Sequence, residues 1–324
     1  MYKNCLIIGK FMPPHKGHEY MIRFAKNYAE DVHVVVDCLK EQTISPLKRK
    51  KWLEDITGIK VYALDKCMPQ DPNETEFFWD IWKSSLLNTL KLKPDLVIAA
   101  MDYGEDLAKT LGCDFIPIDI ARETFPISAT MLREDIFKNW DFLMDSVKPD
   151  FIKKICLLGP ESTGKSTAGK KLAQRLNTVY VPEYAKSIIE KQGNFYKHNI
   201  EEIAIAQINT EKALARFTNK LMICDSSALT TLLYSEMLFN ESPEYIKNMI
   251  KEHKYDLYCL FYPDTDFVMA AHRNVLEKPE DKRIVMFYRF KEELEKMNVQ
   301  YKIIKGSFEK RDNILWDLAQ NELK

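Results

Sequence analysis

Glycine is scarce in this chain, at 10 of 324 residues, so any glycine motif that does occur carries weight. Seven cysteines, an odd number, are scattered along it as Cys5, Cys38, Cys67, Cys113, Cys156, Cys224 and Cys259. None sits in the close sequence spacing that binds zinc or runs redox chemistry, which excludes a disulfide scaffold and suits a reduced, cytoplasmic setting. Cys5, Cys156 and Cys224 lie inside apolar runs and read as small buried hydrophobes. Charge of one sign is also missing: 47 Lys and Arg stand against 48 Asp and Glu, a net charge of -1. That balance argues against a general binder of nucleic acid, which needs a cationic surplus facing the phosphates. No apolar run approaches the roughly 18 residues that span a bilayer, and the opening MYKNCLIIGKF is too short for a secretory h-region, so neither export nor a membrane is expected.

What is present is an ordinary globular composition, 46% hydrophobic and 11% aromatic, in a length that suits two domains at about 150 residues each. Two glycines fall at matching places. CLIIG at 5–9 and ICLLG at 155–159 are each a continuous apolar run ending in Gly, the mark of a buried parallel strand turning toward a helix. Strand-like segments follow at HVVV (33–36), KVYAL (60–64) and DLVIAA (95–100), and again at TVYV (178–181), KLMICD (220–225), LYCLFY (257–262) and YKII (301–304). Alternation of this kind predicts two doubly wound α/β domains with parallel sheets, 1–148 and 149–324, divided near Val147 to Lys153 where Pro149 ends a helix.

After the first strand comes Gly9-Lys10-Phe11-Met12-Pro13-Pro14-His15-Lys16-Gly17-His18, then a helical pattern with Met21, Phe24, Ala25 and Tyr28 on one face. A helix beginning near Gly17 would put His18 and free backbone N–H groups at its positive end, a ready anion site at which His15 can also aim. Near the end of this half, Ser128 in FPISATMLR can cap a helix that turns Leu132 and Ile136 inward and offers Thr130 and Arg133 to a polyphosphate.

The pair GKFMPPHKGH and ISATMLR resembles the HxGH and ISxTxxR signatures of the nucleotidyltransferase superfamily. Residues 119–142, DIARETFPISATMLREDIFKNWDF, more narrowly resemble the nicotinamide mononucleotide adenylyltransferase domain of the bifunctional NadR-type proteins, as does DYGEDLAKTLG at 102–112. The resemblance implies that His15, His18, Ser128, Thr130 and Arg133 embrace the phosphates of ATP, with Gly9, Lys10 and Phe11 lining the turn beneath. It also implies that Trp79 and Trp82 mark the pyridine-nucleotide site, where an indole can stack on cationic nicotinamide, although core packing serves them equally well. A nucleotide phosphate attacking the α-phosphorus of ATP is already an anionic nucleophile and needs no general base. Imidazolium, guanidinium, helix N-termini and Mg²⁺ would neutralise the transition state, each such donor contributing about 3 kcal/mol. The run Lys48-Arg49-Lys50-Lys51 reads as a solvated helix face.

In the second half, Gly159-Pro160-Glu161-Ser162-Thr163-Gly164-Lys165-Ser166 matches GxxxxGK[ST] without a gap, between a strand and a helix bearing Ala168, Leu172 and Leu176. This predicts a nucleoside triphosphate site. Backbone N–H groups from Gly159 through Gly164, including Glu161, Ser162 and Thr163, cradle phosphates with Thr167. Lys165 reaches the β and γ oxygens, and Ser166 coordinates Mg²⁺. Asp225, ending LMICD, can hold the metal or take a proton from an acceptor hydroxyl, and Glu183 and Tyr184 sit on the same ligand-bearing edge of the sheet. Arg273, Lys278, Lys282 and Arg283 lie in a polar stretch suited to a lid over phosphates.

Walker A, the EYA segment, Asp225 with Thr230 and Thr231, and Arg273 resemble the nicotinamide riboside kinase domain of the same NadR-type proteins. Two departures are visible: Ser227 stands where that pattern has a second acidic residue, and Met269, Ala270 and Ala271 stand where it has an acidic pair plus Gly. They leave the acceptor open. The expectation is a bifunctional enzyme of NAD biosynthesis using ATP and Mg²⁺ in both domains, acting on small molecules and neither nucleic acid nor membranes, with a homo-oligomer left open. Phosphorylation of another small alcohol or nucleoside by the P-loop half, or a nucleotide-sensing regulator without catalysis there, are the alternatives. DNA-binding relatives carry an added N-terminal helix-turn-helix, whereas this chain starts at its first strand.

Overall fold

The computed structural model describes residues 1–323 except Thr57, Asp102, Phe195 and 266–278, and only the backbone at 279–281. The chain divides into two compact units, Met1–Lys148 and Pro149–Lys324.

Unit 1 is a five-stranded sheet of β1 (Tyr2–Gly9), β2 (Ala29–Val36), β3 (Lys60–Ala63), β4 (Leu96–Ala99) and β5 (Asp114–Pro117), in the order β3-β2-β1-β4-β5. All pairings are parallel, with Cys5 opposite Val32 and Gly9 opposite Val36. The order reverses between β1 and β4, which opens a crevice at their carboxyl ends, where open α/β sheets bind ligands. Cys5, Leu6 and Ile7 are fully buried, as a strand covered on both faces requires. Phe78, Trp82, Leu86 and Leu90 of the helix Phe78–Leu90 pack on Leu6, Ile8 and Val97.

Unit 2 has β6 (Lys153–Leu158), β7 (Tyr180–Val181), β8 (Leu221–Asp225), β9 (Leu257–Phe261) and β10 (Tyr301–Ile304), again all parallel, in the order β10-β9-β6-β8-β7. The period of two is explicit in its core. Cys156, Leu158, Met222, Cys224, Tyr258 and Leu260 join one apolar layer, while Ile155, Leu157, Leu221, Ile223, Leu257 and Phe261 join the other. Truncating one of these fully buried aliphatic side chains, as in Leu157→Ala, costs about 2–5 kcal/mol because the layer cannot collapse around the hole.

The two parallel α/β sheets expected from the sequence are both present, and every expected strand segment contributes one. The ladder at β7 is shorter than TVYV suggests, two residues against four. β5 escaped the sequence reading because Asp-Phe-Ile-Pro is four residues long and ends in a proline, which fits only an edge strand. The first helix begins at Lys16, one residue before the expected start, and Tyr28 lies beyond its end at Ala25, 38% exposed instead of inward-facing. Likewise the helix capped by Ser128 stops at Glu134, so Leu132 is buried by it but Ile136 is not part of it. No helix among the described residues is long and apolar enough to cross a membrane.

Candidate active sites

In unit 1 the crevice at the ends of β1 and β4 is a cleft of about 700 Å³. Gly9, Lys10, Phe11, His15, His18, Trp79, Trp82, Ser128, Thr130 and Arg133 all line it, drawing together segments more than a hundred residues apart in sequence. His15 caps the helix Lys16–Ala25 in an extended conformation, and its backbone N–H donates to His18 Nδ1 at 3.2 Å. The two imidazoles stack with centroids 3.7 Å apart, and Phe11 meets His18 edge-on at 4.8 Å. Gly17 is what permits this: a Cβ there would lie 3.1 Å from the His15 ring. His15 Nδ1 remains buried without a hydrogen-bond partner among the described residues.

The second motif closes the loop from the other side. Ser128 Oγ accepts from the Met131 N–H at 3.2 Å, fixing the start of the helix Ala129–Glu134. That helix presents Arg133, whose guanidinium donates to the Met12 carbonyl at 2.6 Å and to Thr130 Oγ1 at 3.0 Å. From beneath, Arg49 donates to the carbonyl of Lys10 and to Gln42 Oε1, and its side chain is fully buried. This corrects the reading of 48–51 as a solvated face: Arg49 points inward because the carbonyl at the turn of the phosphate loop needs a donor there.

The histidines are not imidazolium in this setting. Burial, reinforced by the nearby Arg122 guanidinium, pushes His15 down to about 4, and burial with His15 and Arg122 pushes His18 well below the ordinary range. In the unliganded cleft both are therefore neutral near pH 7. The tryptophans take two different positions. Trp82 is 9% exposed and donates its indole N–H to the Pro69 carbonyl at 3.1 Å, whereas Trp79 is half-buried against Phe78. Sequence reasoning missed Asp37, which follows β2 directly, lines the cleft and is 3% exposed. Gln70 Nε2 donates to its Oδ2 at 2.8 Å, Oδ1 has no hydrogen-bond partner among the described residues, and burial lifts the carboxyl to about 6. The signal was present: a carboxylate at the end of a buried strand on the ligand-bearing edge, the argument applied to Asp225. Tyr103 and Arg122 also line this cleft and were not singled out.

In unit 2 the loop 159–166 joins β6 to the helix Lys165–Arg175. Gly159 adopts φ +132, and a Cβ on it would lie 2.7 Å from the Phe261 carbonyl oxygen, so the motif's first glycine is sterically required. Lys165 Nζ folds back onto the carbonyls of Gly159 and Pro160 at 2.7 and 2.8 Å. Burial lowers its pKa against the pull of Asp225, Glu183 and Glu161. Beside it, Asp225 Oδ2 accepts from Ser166 Oγ at 2.5 Å, Tyr180 OH at 2.7 Å and Lys186 Nζ at 3.1 Å, while Oδ1 is buried without a hydrogen-bond partner among the described residues. Burial alone would raise the Asp225 carboxyl; Lys186, Lys165 and the two hydroxyls outweigh it and hold it below its ordinary value. Glu183 goes the other way. It pairs with Lys186 at 3.2 Å, yet burial and the charge of Asp225 keep its pKa raised.

A cavity of about 210 Å³ adjoins the loop, lined by Glu161, Ser162, Thr163, Lys165, Ser166, Thr167 and Glu183, with Gln207, Thr230, Tyr234 and the apolar Ile189, Ile203 and Met237 on its walls. Tyr184 supplies a backbone N–H that Gln207 Oε1 accepts at 2.9 Å, and Tyr234 OH donates to Glu161 Oε1 at 2.5 Å. Lys186, Tyr180 and Gln207 were missed by sequence reasoning, because nothing in Tyr-Ala-Lys or in a mid-helix Gln announces a partner 20 to 45 residues away. Arg273, Lys278 and Met269 to Ala271 lie outside the described residues. Lys282 is exposed, but Arg283 is 4% exposed and donates to the carbonyls of Thr265 and Ser162 at 3.0 and 3.4 Å, bracing the loop instead of covering it as a lid. Ser227 is the buried cap residue of the helix Ala228–Phe239 and does not line the cavity; its neighbour Ser226 does.

Residues 154–311 match the family described as AAA domain. The trifunctional NAD biosynthesis/regulator protein NadR of Escherichia coli (strain K12) is 24% identical over 330 residues, covering 91% of this chain and 77% of that protein. The crystal structure of NadR protein in complex with NR superimposes with a TM-score of 0.81 at 19% identity, over 99% of this chain and 96% of that one. The structure of NadR protein in complex with NAD and AMP-PNP gives 0.80 at 20% identity, over 100% and 97%. Along nearly its whole length the chain is NadR-like in sequence and in fold.

Proposed function

We propose that this NadR-like chain makes NAD in two ATP-dependent steps, with unit 2 phosphorylating nicotinamide riboside and unit 1 transferring AMP from ATP to the resulting mononucleotide. One observation carries the reading: two motifs at opposite ends of unit 1 meet on one cleft, where Arg133 holds the Met12 carbonyl of the loop that bears His15 and His18. In unit 1 the phosphate oxygen of the mononucleotide attacks the α-phosphorus of ATP and pyrophosphate leaves. The imidazole N–H groups, Arg133, Lys10 and the helix end hold the developing charge, with no proton to remove from the nucleophile. Trp79, half-buried on the wall of the cleft, is the indole available to stack on the pyridinium ring.

In unit 2, Ser166 Oγ and the buried Asp225 Oδ1 are hard oxygen donors of the kind Mg²⁺ takes together with phosphate oxygens and water. Bound there, the ion would neutralise charge on the β and γ phosphates. Ionised Asp225 is assigned to the metal, and Glu183, the carboxyl that burial raises, to the proton of the acceptor hydroxyl. Lys165 exchanges its two carbonyl partners for phosphate oxygens. A second reading, in which unit 2 takes a different small alcohol, draws on the wall of its cavity, where Glu183 is joined mainly by neutral Gln207, Ser226 and Thr230 and by apolar side chains.

Purified protein with ATP, Mg²⁺ and a panel of nucleosides and nucleotides, with ADP and pyrophosphate followed separately, tests both readings. Pyrophosphate release that depends on nicotinamide mononucleotide and ADP release that depends on nicotinamide riboside are expected. ADP release with another nucleoside but not the riboside would favour the second reading, and absence of mononucleotide-dependent pyrophosphate would end the first.

A further inference from the structure

Cys38 and Cys67 are 29 positions apart, and no sequence pattern links them, yet their sulfurs lie 3.6 Å apart. Both are reduced. Cys38 follows β2 and Asp37, and is 7% exposed; Cys67 sits on the loop after β3 and is exposed. That loop is stitched to the end of β2 by the Met68 N–H on the Cys38 carbonyl at 3.0 Å, and by Gln70 on Asp37 at 2.8 Å. Further along, Pro69 accepts the Trp82 indole N–H at 3.1 Å. Pro69, Gln70, Asp37 and Trp82 all line the cleft, so the two thiols stand directly behind one of its walls.

We infer that Cys38 and Cys67 form a reversible disulfide that fastens the loop 64–70 to the end of β2 and reshapes the wall of the unit 1 cleft that holds Pro69, Gln70 and Trp82. The oxidant is a hydroperoxide. The exposed Cys67 thiolate attacks the O–O bond, taking one oxygen as a sulfenic acid and releasing water or an alcohol. Cys38 sulfur then attacks Cys67 sulfur, the S–O bond breaks, and the departing hydroxide takes the Cys38 proton as water. In sum, two thiols and one hydroperoxide give a disulfide, an alcohol or water, and water; the sulfurs lose two electrons and the peroxide oxygens gain them. Geometry orders the steps, because only Cys67 meets solvent and only Cys38 lies within a bond-forming approach of it. Gln42 Nε2, 3.8 Å from Cys38 sulfur, donates to the thiol that must react second, against the burial and the Cys67 charge that raise its pKa. Four of the other cysteines, Cys5, Cys156, Cys224 and Cys259, are fully buried and out of reach of the reagent.

The cross-link is read without any activity. Full-length protein treated with equimolar hydrogen peroxide should lose two hydrogens in intact mass, yield a linked Cys38–Cys67 peptide pair without reductant, and return to its original mass with dithiothreitol. Cys67→Ser, at an exposed position that does not line the cleft, and Cys38→Ser should each abolish the linked pair. Accumulation of Cys67 as a sulfinic acid, with Cys38 still open to alkylation after unfolding, overturns the inference. The kinetic half rests on the proposed adenylyl transfer: oxidation should raise the KM for the mononucleotide several-fold in the wild type and not in Cys67→Ser, with riboside-dependent ADP release unchanged. A linked protein with an unmoved KM overturns the reshaping of the wall. A protein that links but never released pyrophosphate before oxidation leaves the disulfide standing and removes the functional reading instead.

Discussion

In each unit the loop that follows the first strand of the parallel sheet begins alike, and the two loops satisfy their polar groups differently. In unit 2 the loop is braced from outside by Arg311 and Arg283 on the Thr163 and Ser162 carbonyls and is also closed upon itself: Lys165 holds two carbonyls of its own loop, and Ser166, Tyr180 and Lys186 converge on one oxygen of Asp225. In unit 1 the loop is held from outside, by Arg133 above and Arg49 below, while His15 Nδ1 and Asp37 Oδ1 are buried without hydrogen-bond partners among the described residues. A ligand that reaches Lys165 must therefore displace two internal bonds that already exist, whereas one that reaches His15 Nδ1 displaces none among the described residues.

Paired substitutions break this comparison most sharply. Lys165→Ala should lower ADP release about 10³-fold and leave pyrophosphate release unchanged, while His18→Ala should lower pyrophosphate release about 10²-fold and leave ADP release unchanged, the size set by loss of one preorganised donor. Each rate is followed with its own acceptor supplied in excess, riboside for ADP and mononucleotide for pyrophosphate. The larger value belongs to Lys165 because it would contribute a full charge to the phosphates, and charge-assisted hydrogen bonds are stronger than neutral ones. Parallel loss of both activities in either variant would mean that the two sites are not independent.

Legibility in the sequence divides along the same line. The P-loop was readable whole, because its glycines, lysine and serine are contiguous and act through backbone they themselves shape. The pair of motifs in unit 1 was readable too, as two short strings with a shared chemistry. What could not be read was everything that reaches a loop from a distance: Arg49 under Lys10, Arg311 under Thr163, Lys186 beside Ser166, Asp37 behind Gln70. Each of these is an ordinary polar residue in its own helix or strand end, and only tertiary packing gives it a partner. Arg283 shows the converse error, a residue grouped by local charge with a mobile cover that instead bonds the Ser162 carbonyl. Cys38 and Cys67 show it again, since spacing along the chain said nothing of the sheet that brings β2 and β3 side by side.

Those distant arginines give the next comparison. Arg311 is fully buried and donates to the carbonyls of Thr163, Gly306 and Tyr262 and to the Asp264 carboxylate. Arg49, equally buried, donates among the described residues to neutral groups, the Lys10 and Ser45 carbonyls and Gln42, with Asp37 acting on it through charge without a hydrogen bond. Arg311→Met should destabilise unit 2 by about 3 kcal/mol, since it strands buried carbonyls and an unpaired carboxylate. Arg49→Met should cost unit 1 about 1–2 kcal/mol, because Lys10 is exposed and water can replace the lost donor at its carbonyl. Urea unfolding of each variant against the wild type measures both, and equal costs would refute the idea that charge pairing separates the two supports.

The smallest expected difference is in acid. In unit 1, His15, His18 and His33 all have folded pKa values below their ordinary 6.5, so the unfolded chain binds protons first and stability falls as pH drops from 6.5 toward about 4. Asp37 works against this: raised to about 6, it is protonated first in the folded state and returns stability over the same interval. Three groups against one leave a net loss. In unit 2 the buried Glu211 accepts from Tyr255 OH at 2.6 Å and His253 at 2.7 Å and pairs with Lys154 at 3.2 Å, and these partners overcome burial to hold its carboxyl below the ordinary 4.5. A depressed carboxylate contributes stability above that value and loses it only as pH falls through the lower folded one. Calorimetry of the full chain should therefore show the transition of unit 1 moving to lower temperature between pH 6.5 and 4.5, with no loss at unit 2 from Glu211 until below that range. Glu211→Gln should reduce the acid-dependent part of the second transition, leaving the share of Asp225, and leave the first where it was. If the variant instead flattens the first transition, the titrating groups have been assigned to the wrong unit.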